Sequence, residues 1–491
     1  MVPMDPRLLP LASSLLTLLC CTPASAADTP LLAPEVVQAL QREGVPQDAL
    51  SVLVQEVGSG NTRLTLNALK PVNPASLAKL LTTYAALDQL GPAFTWKTPV
   101  WLAGRLNGGV LEGNLHIQGR GDPKLTLERL WLLVQRLRQM GVNEIRGDIV
   151  LDQSAFDVPE TSLAEFDGEP LRPYNVRARA LLLNLHAVLY TFTPDAAAGV
   201  ARVSVEPALQ GMQVDATVPL APGPCNDWRG ALKATPGDAE RMRFGGSYAA
   251  ACGERVWPLA YPDPKLYASR LIATLWQGAG GRLTGSVREG LAPEGTRPTF
   301  EIASPALAEV VRDINKYSNN VMAQQLLLTL ALQQPGATRA TPEAGREALR
   351  QWLFQRQGEA LEGVVIDNGS GLSRQTRVSA ALLGRVLQRA WSSAVMPELM
   401  ASLPVNGLDG TLRRANSSAG MAHLKTGSLR DVAGVAGYVL GASGKRYVLV
   451  AVINHPNANA AKPALDALVQ WTLNDGERMR RPAEPARRTA K

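Results

Sequence analysis

The stretch that decides the fold is Asn73-Pro74-Ala75-Ser76-Leu77-Ala78-Lys79, which opens the largely apolar run Leu80-Leu81-Thr82-Thr83-Tyr84-Ala85-Ala86-Leu87. Asn73 is a favourable N-cap and Pro74 suits the first helical position, so the pattern predicts a helix that begins here. Ser76 then lies in the first turn, and Lys79 lies on the same face three residues later. A hydroxyl beside an amine at the positive end of a helix dipole is a candidate nucleophile and base. A capped, buried helix with an incidental lysine explains this stretch alone equally well.

The start of the chain has the features of a secretory signal peptide. Arg7 precedes an apolar run at residues 8–21, and Ala24-Ser25-Ala26 is a small-x-small cleavage site. Residues 1–26 are therefore predicted to be removed from an exported protein. No later stretch reaches the roughly 18 apolar residues of a membrane-spanning helix, so no integral membrane segment is predicted.

Length and composition indicate a globular protein of several domains. The chain has 491 residues, 46% of them hydrophobic and 19% charged, which favours two or three domains. Of the net charge of +7, the segment 478–491 supplies +5, so residues 476–491 are predicted to be a disordered basic tail. The remaining +2 gives no basic footprint for nucleic acid.

Two cysteines remain after the signal peptide, Cys225 and Cys252. In an oxidising compartment they would close a loop of about 28 residues and stabilise the fold by roughly 3–4 kcal/mol in the chain-entropy model. Two unrelated buried thiols or half of a metal site are the alternatives. The whole chain has only four histidines and none lies near either cysteine, so neither a metal nor a cofactor is expected.

The order of predicted elements indicates an α/β protein with an insertion. A hairpin is predicted at 51–57 and 63–66, and helices at 127–140, 264–278, 307–314, 321–332, 341–357 and 379–391. Strands at 433–440 and 446–453 and a helix at 461–473 close the chain. Short strands and Gly-rich turns dominate from about residue 95 to residue 264, so a strand-rich block is inserted between the two α/β ends.

Two further motifs indicate a function only in combination with the first. Ser318-Asn319-Asn320 precedes an apolar helix, and taken alone it favours ordinary helix capping. Lys425-Thr426-Gly427-Ser428 leads into the last strands, where a glycine suits a strand that something approaches closely. A glycine-containing turn with an exposed lysine is the alternative. Ser-x-x-Lys, Ser-x-Asn and Lys-Thr-Gly in this order form the signature of serine β-lactamases and penicillin-binding proteins.

With these motifs the chain resembles the class C low-molecular-mass penicillin-binding proteins, which are D-alanyl-D-alanine carboxypeptidases and endopeptidases. The segments 367–374 and 403–412 are similar to further family segments, and Cys225 with Cys252 resembles the family's disulfide-bearing insert. Asn368 is an addition to the family pattern. Gln324 and Gln325 stand where an acidic residue is expected.

The resemblance implies a penicilloyl-serine-transferase (β-lactamase/transpeptidase-like) domain, an α/β fold with a five-stranded antiparallel sheet flanked by helices. Residues 27–96 and 263–475 would form this catalytic domain. Two strand-rich domains would be inserted: domain II from 97–112 and 177–262, and domain III from 113–176, nested in domain II.

The resemblance also implies the partners and the roles of the site residues. The substrates would be peptidoglycan stem peptides and cross-links in the periplasm, and β-lactams would be covalent inhibitors. Arg374 and Asp167 would contact the polar end of the diamino-acid side chain of the substrate peptide. For both residues, an ordinary surface role is the alternative. The implied site consists of Ser76, Lys79 and Ser318 as catalytic residues and Asn320, Lys425, Thr426, Gly427, Ser428, Arg374 and Asp167 as substrate-binding residues.

Three rival functions share parts of this pattern. A β-lactamase of one class needs a Glu-x-x-Leu-Asn loop, and the nearest candidate, Leu183-Asn184, has Ala180 at the glutamate position. A serine esterase on the same scaffold would not require Lys-Thr-Gly. A non-enzymatic wall-binding protein would not require all the catalytic positions to be intact.

Overall fold

The computed structural model describes residues 32–236, 240–357, 361–415 and 419–475. The predicted signal peptide and the predicted basic tail lie outside these ranges. In the part of the chain that is described, no helix combines the length and the hydropathy that crossing a bilayer requires.

The predicted helices are found to within a few residues, except where the nucleophile helix begins, and three helices, Pro34–Arg42, Trp228–Leu232 and Met396–Ser402, were not predicted. Pro264–Gly278 is found as predicted, whereas the helix expected from Pro74 begins only at Lys79. In chain order the helices are α1 Pro34–Arg42, α2 Lys79–Leu90, α3 Leu127–Gln139, α4 Trp228–Leu232, α5 Pro264–Gly278, α6 Leu307–Tyr317, α7 Asn320–Leu332, α8 Pro342–Gln357, α9 Ala380–Trp391, α10 Met396–Ser402 and α11 Lys462–Leu473.

The strands fall into a group at the two ends of the chain and a larger group in the inserted block. In chain order they are β1 Leu50–Glu56, β2 Thr62–Leu66, β3 Lys97–Asn107, β4 Val110–Gln118, β5 Glu144–Ile145, β6 Ile149–Asp152, β7 Ala187–Asp195, β8 Val200–Glu206, β9 Gln213–Val214, β10 Thr217–Ala221, β11 Ala234–Pro236, β12 Arg241–Phe244, β13 Tyr248–Ala249, β14 Arg255–Ala260, β15 Arg282–Leu283, β16 Val287–Glu289, β17 Phe300–Ala303, β18 Ala422–Leu429, β19 Val432–Leu440 and β20 Arg446–Asn454.

The five-stranded antiparallel sheet that the resemblance implied is present, and both ends of the chain build it. Its order is β18-β19-β20-β1-β2, so the predicted N-terminal hairpin pairs with the last strands of the chain. Alternate residues of β20 face opposite cores: Val448, Val450 and Val452 pack with α2 and α7–α9, whereas Leu449 and Ala451 pack with α1 and α11. Burial on both faces explains why β20 is apolar almost throughout. The edge strand of this sheet is β18, which carries Lys-Thr-Gly.

The inserted block forms its own large core, which includes residues from three further sheets and from α3 and α5. Strand pairing crosses the predicted domain boundaries at two places. The division at residue 112 cuts through the hairpin of β3 and β4, in which Leu102 lies opposite Leu115. Strands β15, β16 and β17, which were assigned to the catalytic domain, instead pair with β5, β6 and β3. Pairing between distant segments leaves no local signal in the sequence; the three-domain division and its boundaries stay predictions.

The two cysteines form a disulfide bond in this block, as the resemblance implied. Their Cα atoms are 4.7 Å apart, within the range that the bond requires. Cys252 is buried in the core of the block, and Cys225 packs against that core. The bond therefore ties the loop between them to the block and does not involve the catalytic sheet.

Candidate active site

The candidate nucleophile lies in a tight turn that precedes α2. Residues Ala75–Ala78 form a 3-10 turn, so Ser76 is not in the first turn of an α-helix as predicted. Asn73 is not the N-cap that was predicted, since Pro74 occupies that position, but its Oδ1 accepts the backbone N–H of Ala75, the first residue of the turn, at 2.9 Å. Ala75 has φ +47°, in the region that costs a non-glycine residue energy and that is held by its surroundings at functional sites. Tertiary contacts therefore set the backbone at Ser76.

Lys79 joins Ser76 to two other parts of the chain. Its Nζ lies 3.0 Å from Ser76 Oγ, 2.7 Å from Asn320 Oδ1 and 2.5 Å from the Ser370 carbonyl oxygen. The side chain is fully buried. Burial, and secondly the nearby Lys425 amine, lower the pKa of Lys79 well below its usual range. The arrangement favours a neutral amine beside the serine hydroxyl.

The Ser370 carbonyl is supplied by a loop that the motifs did not identify. Asn368 Oδ1 accepts both the backbone N–H and the hydroxyl of Ser370, and Asn368 Nδ2 donates to the Leu372 carbonyl at 2.8 Å. Gly371 has φ +76°, and a Cβ there would collide with the Ala75 carbonyl oxygen. The residue that departs from the family pattern, Asn368, thus shapes the loop that contacts both Lys79 and the nucleophile turn.

Ser318 is placed by the end of one helix rather than by the start of the next. It ends α6 in the left-handed conformation, with φ +56°. Asn319, not Ser318, caps α7, since its side chain accepts the N–H of Met322 at 3.1 Å. The ordinary capping role considered for Ser318 is therefore excluded, and its side chain is available to the site. Asn320 is the first residue of α7, and its Nδ2 donates to the Tyr174 carbonyl at 3.3 Å.

A second buried amine, that of Lys425, holds Ser318. Lys425 Nζ donates to Ser318 Oγ at 2.9 Å and to the Thr426 carbonyl at 2.8 Å. Burial lowers the pKa of Lys425 to about 7. The Ser-x-x-Lys and Lys-Thr-Gly lysines therefore each contact one of the two candidate serines, and Asn320 Oδ1 contacts Lys79.

The open edge of β18 runs past these side chains. Leu424 donates its backbone N–H to Pro404, away from β19. Backbone groups alternate in direction along an antiparallel edge strand, so the N–H groups of Thr426 and Ser428 also point away from β19. The segment 404–406 covers the edge only as far as Leu424, because its contacts are to 422–424. The edge is left open from Thr426 onward.

Gly427 allows this edge to approach the nucleophile turn. A Cβ at Gly427 would lie 2.7 Å from the Pro74 carbonyl oxygen and 3.2 Å from the Leu77 side chain. The close approach predicted for this glycine is thus made by residues next to Ser76. It brings the Ser76 turn beside Ser428.

Asp167 and Arg374 both lie near the site but make other contacts. Asp167 accepts the Tyr174 hydroxyl at 2.8 Å, and Tyr174 is the residue whose carbonyl contacts Asn320. The Arg374 guanidinium lies 4.8 Å from the ring centre of Phe166, the neighbour of Asp167. Arg374 also forms an exposed ion pair with Asp431 at 3.0 Å.

The structure places Arg374 and Phe166 on one cavity. Its volume is about 410 Å³, and Gln324 also lines it, where an acidic residue was expected. The aromatic residues Phe166 and Tyr174 and the loop residues Asn368 and Ser370 were missed by the sequence reasoning. Asn368 was visible as an insertion, whereas the other three had no signal.

Comparisons with known proteins identify the family of the chain. Residues 32–475 match the family model of D-Ala-D-Ala carboxypeptidase 3 (S13). The chain is 27% identical over 463 residues to a D-alanyl-D-alanine carboxypeptidase of Actinomadura sp. strain R39, covering 89% of this chain and 84% of that protein. It is 26% identical over 390 residues to the D-alanyl-D-alanine carboxypeptidase DacB of Haemophilus influenzae, covering 77% and 80%.

The fold is that of a solved penicillin-binding protein. The crystal structure of penicillin binding protein 4 (dacB) from Haemophilus influenzae superposes with a TM-score of 0.72 at 24% identity, covering 89% of this chain and 99% of that one. A predatory endopeptidase of Bdellovibrio bacteriovorus, acylated by penicillin G, gives 0.52 at 16% identity, covering 87% and 92%. The chain belongs to the D-Ala-D-Ala carboxypeptidase 3 (S13) family.

Proposed function

We propose that this protein is a penicillin-sensitive serine D-Ala-D-Ala carboxypeptidase and endopeptidase that acts on peptidoglycan stem peptides and cross-links. We further propose that it is exported to the periplasm, consistent with the signal-like segment 1–26. β-Lactams would inhibit it by acylating the same serine as the substrate does.

The environment of the Lys79 amine carries the proposed mechanism. A neutral amine has two N–H groups and one lone pair. Asn320 Oδ1 and the Ser370 carbonyl can only accept hydrogen bonds, so each accepts one from the two N–H groups. The lone pair is left for the third neighbour, and the Ser76 hydroxyl donates its proton to it across 3.0 Å. Lys79 is therefore suited to act as the general base for Ser76.

The reaction then follows as acyl transfer. Ser76 Oγ attacks the carbonyl carbon of the penultimate D-alanine while its proton passes to Lys79. The backbone N–H groups of Ser76 and Ser428 hold the oxyanion, and loss of one such donor costs about 3–4 kcal/mol in a comparable site. The C–N bond breaks, the leaving amine takes a proton, and water hydrolyses the Ser76 ester.

Lys425 and the residues that it contacts would act on the leaving D-alanine of the substrate. Ser318, held by Lys425, is placed to pass the proton to the leaving amine. Lys425 and Thr426 would bind the terminal carboxylate, and Asn320 would bind a substrate amide. The peptide itself would lie along the open edge of β18 as an added strand, for which Gly427 keeps the approach clear.

Arg374 and Asp167 are proposed to contact the polar end of the diamino-acid side chain of the stem peptide. The support is that Arg374 and Phe166, the neighbour of Asp167, line the 410 Å³ cavity, and that Tyr174 contacts both Asp167 and Asn320. Their present contacts, to Asp431 and to Tyr174, would be exchanged for substrate.

The test is mass spectrometry of the protein after incubation with a penicillin, beside a digest of cross-linked muropeptides. We expect one adduct, on the peptide that contains Ser76, and release of D-alanine and of uncross-linked muropeptides. Ser76→Ala should abolish the adduct, whereas Ser59→Ala, in the exposed turn after β1, should leave it unchanged. Absence of an adduct at Ser76 would contradict the mechanism. Fast turnover of the drug with intact muropeptides would identify a β-lactamase instead.

A further inference from the structure

The loop that joins α10 to β18 places another hydroxyl at the site. Thr411 lies in a short 3-10 turn, Gly410–Leu412, and its side chain is exposed. Its Oγ1 is 2.7 Å from Thr426 Oγ1, a hydrogen bond in which either hydroxyl can donate. Thr426 belongs to Lys-Thr-Gly, whereas Thr411 belongs to none of the three motifs.

The hydroxyl pair has a fixed hydrogen-bonding capacity. Each hydroxyl has one proton, and one of the two protons is used between Thr411 and Thr426. Whichever residue donates, the other keeps a proton that can be given to an acceptor. Thr426 also links the pair to the Lys425 amine, which donates to the Thr426 backbone carbonyl at 2.8 Å. An amine with a neighbouring hydroxyl donor suits the two oxygens of a carboxylate.

An ion pair between a buried lysine and a partly exposed aspartate holds the loop in this position. Lys316 Nζ donates to the Leu403 carbonyl at 2.6 Å and to Asp409 Oδ2 at 2.5 Å, and the lysine side chain is only 6% exposed. Asp409 Oδ1 accepts the Val405 N–H at 2.7 Å, so both carboxylate oxygens are used. The pair is neutral overall and does not compete for an anionic ligand.

Gly410 completes the contact between loop and helix. It has φ +55°, and a Cβ there would lie 2.6 Å from the Lys316 carbonyl oxygen. Lys316 is two residues before Ser318, so the loop is anchored to the segment that carries the second serine. The position of Thr411 is thereby tied to both Ser318 and Thr426.

The geometry points to Thr411 as a further residue of the subsite for the substrate's terminal carboxylate, positioned against Thr426 by the Lys316–Asp409 pair. This inference rests on the proposed function, because it concerns the same substrate. Thr411 either donates its own hydroxyl proton to the carboxylate or donates it to Thr426, which leaves the Thr426 proton for the carboxylate. Lys316 and Asp409 are positioning residues.

The experiment compares acylation by a penicillin and by its methyl ester, in which the carboxylate charge is removed. For Thr411→Val we expect the second-order acylation rate constant for the free acid to fall about tenfold or more, as for loss of a hydrogen bond to a charged group, and that for the ester to change less than twofold. Thr411→Ser, which keeps the hydroxyl, should retain the wild-type ratio of the two constants. Asp409→Asn should lower the ratio partially.

Each alternative outcome is distinct. An unchanged ratio in Thr411→Val, an equal loss with both reagents, or a serine variant as impaired as the valine variant would overturn the inference. Because Thr411 is exposed, these variants should fold, and Ser76 labelling by the ester verifies this. Failure of the wild-type protein to be acylated at all would instead overturn the proposed function.

Discussion

Replacing Lys425 by methionine should stabilise the fold at low pH while it abolishes activity. The Lys425 side chain is fully buried, and its amine donates to Ser318 Oγ and to the Thr426 carbonyl, neither of which is an anion. Burial lowers its pKa to about 7 from 10.5. Methionine fills a similar volume without a charge, so Lys425→Met removes the cost of burying an ammonium group.

The size and sign of the effect follow from the pKa. A pKa of about 7 in place of 10.5 corresponds to about 5 kcal/mol, at about 1.4 kcal/mol per pH unit. The unfolded chain binds the proton more tightly than the folded one, so this contribution to the free energy of unfolding of the wild-type protein rises with pH between about 7 and 10.5. Below pH 7 the folded protein bears the full cost. The advantage of Lys425→Met is therefore largest there and shrinks by about 2 kcal/mol from pH 7 to pH 9.

The assay is urea denaturation of both proteins across pH 6 to 9, followed by tryptophan fluorescence. Groups common to both proteins largely cancel in the difference, except Lys79, whose pKa the Lys425 amine also lowers. Lys97→Met, which replaces an exposed lysine on β3, is the matched control for loss of a lysine. A difference between wild type and Lys425→Met that does not change with pH would refute the reasoning, because it would mean that burial does not depress the pKa.

Three further predictions concern the supports of the site. Gly371→Ala should greatly destabilise the protein, because its Cβ would collide with the Ala75 carbonyl. Gly444→Ala, in an open turn with φ +82°, should cost only about 1 kcal/mol. Thermal unfolding compares the two variants, and equal losses of stability would contradict the packing argument. Asn368→Ala should lower the acylation rate about tenfold with little change in melting temperature, since it releases the Ser370 carbonyl that orients Lys79; an unchanged rate would exclude the positioning role. Cys225→Ser should lower the free energy of unfolding in urea by roughly 3 kcal/mol and leave acylation intact, because the disulfide lies in the inserted block. Loss of acylation would contradict this and show that the block is coupled to the site.

The local patterns of the sequence were sufficient for most elements. Helices such as Pro264–Gly278 and the strands β19 and β20 follow from apolar periodicity and from Gly, Pro and Asn at their ends. The five-stranded antiparallel sheet came from the resemblance, not from the periodicity. Once the family was recognised from three short motifs, the fold class followed, because motif order constrains the chain topology far more than any one motif does.

The sequence did not show which distant segments pair. Nothing near β3 or β4 shows that β17, about 200 residues later, completes their sheet. The helix at Ser76 was likewise placed one turn too early. The 3-10 turn there depends on Asn73, on the Gly371 contact and on the strain at Ala75, and two of these are set by tertiary packing.

The sequence by itself determined that a serine and a lysine share one turn, that a second serine and a second lysine follow in a set order, and that the chain is α/β with a large insertion. Only the tertiary structure decided which lysine contacts which serine. It also decided that Asn320 Oδ1 and the Ser370 carbonyl accept hydrogen bonds from the Lys79 amine, and that Thr411 contacts Thr426. The physical reason is that spacing along a chain fixes only neighbours within a turn or a strand. Burial and contacts between segments hundreds of residues apart decide charge state and hydrogen-bond partners.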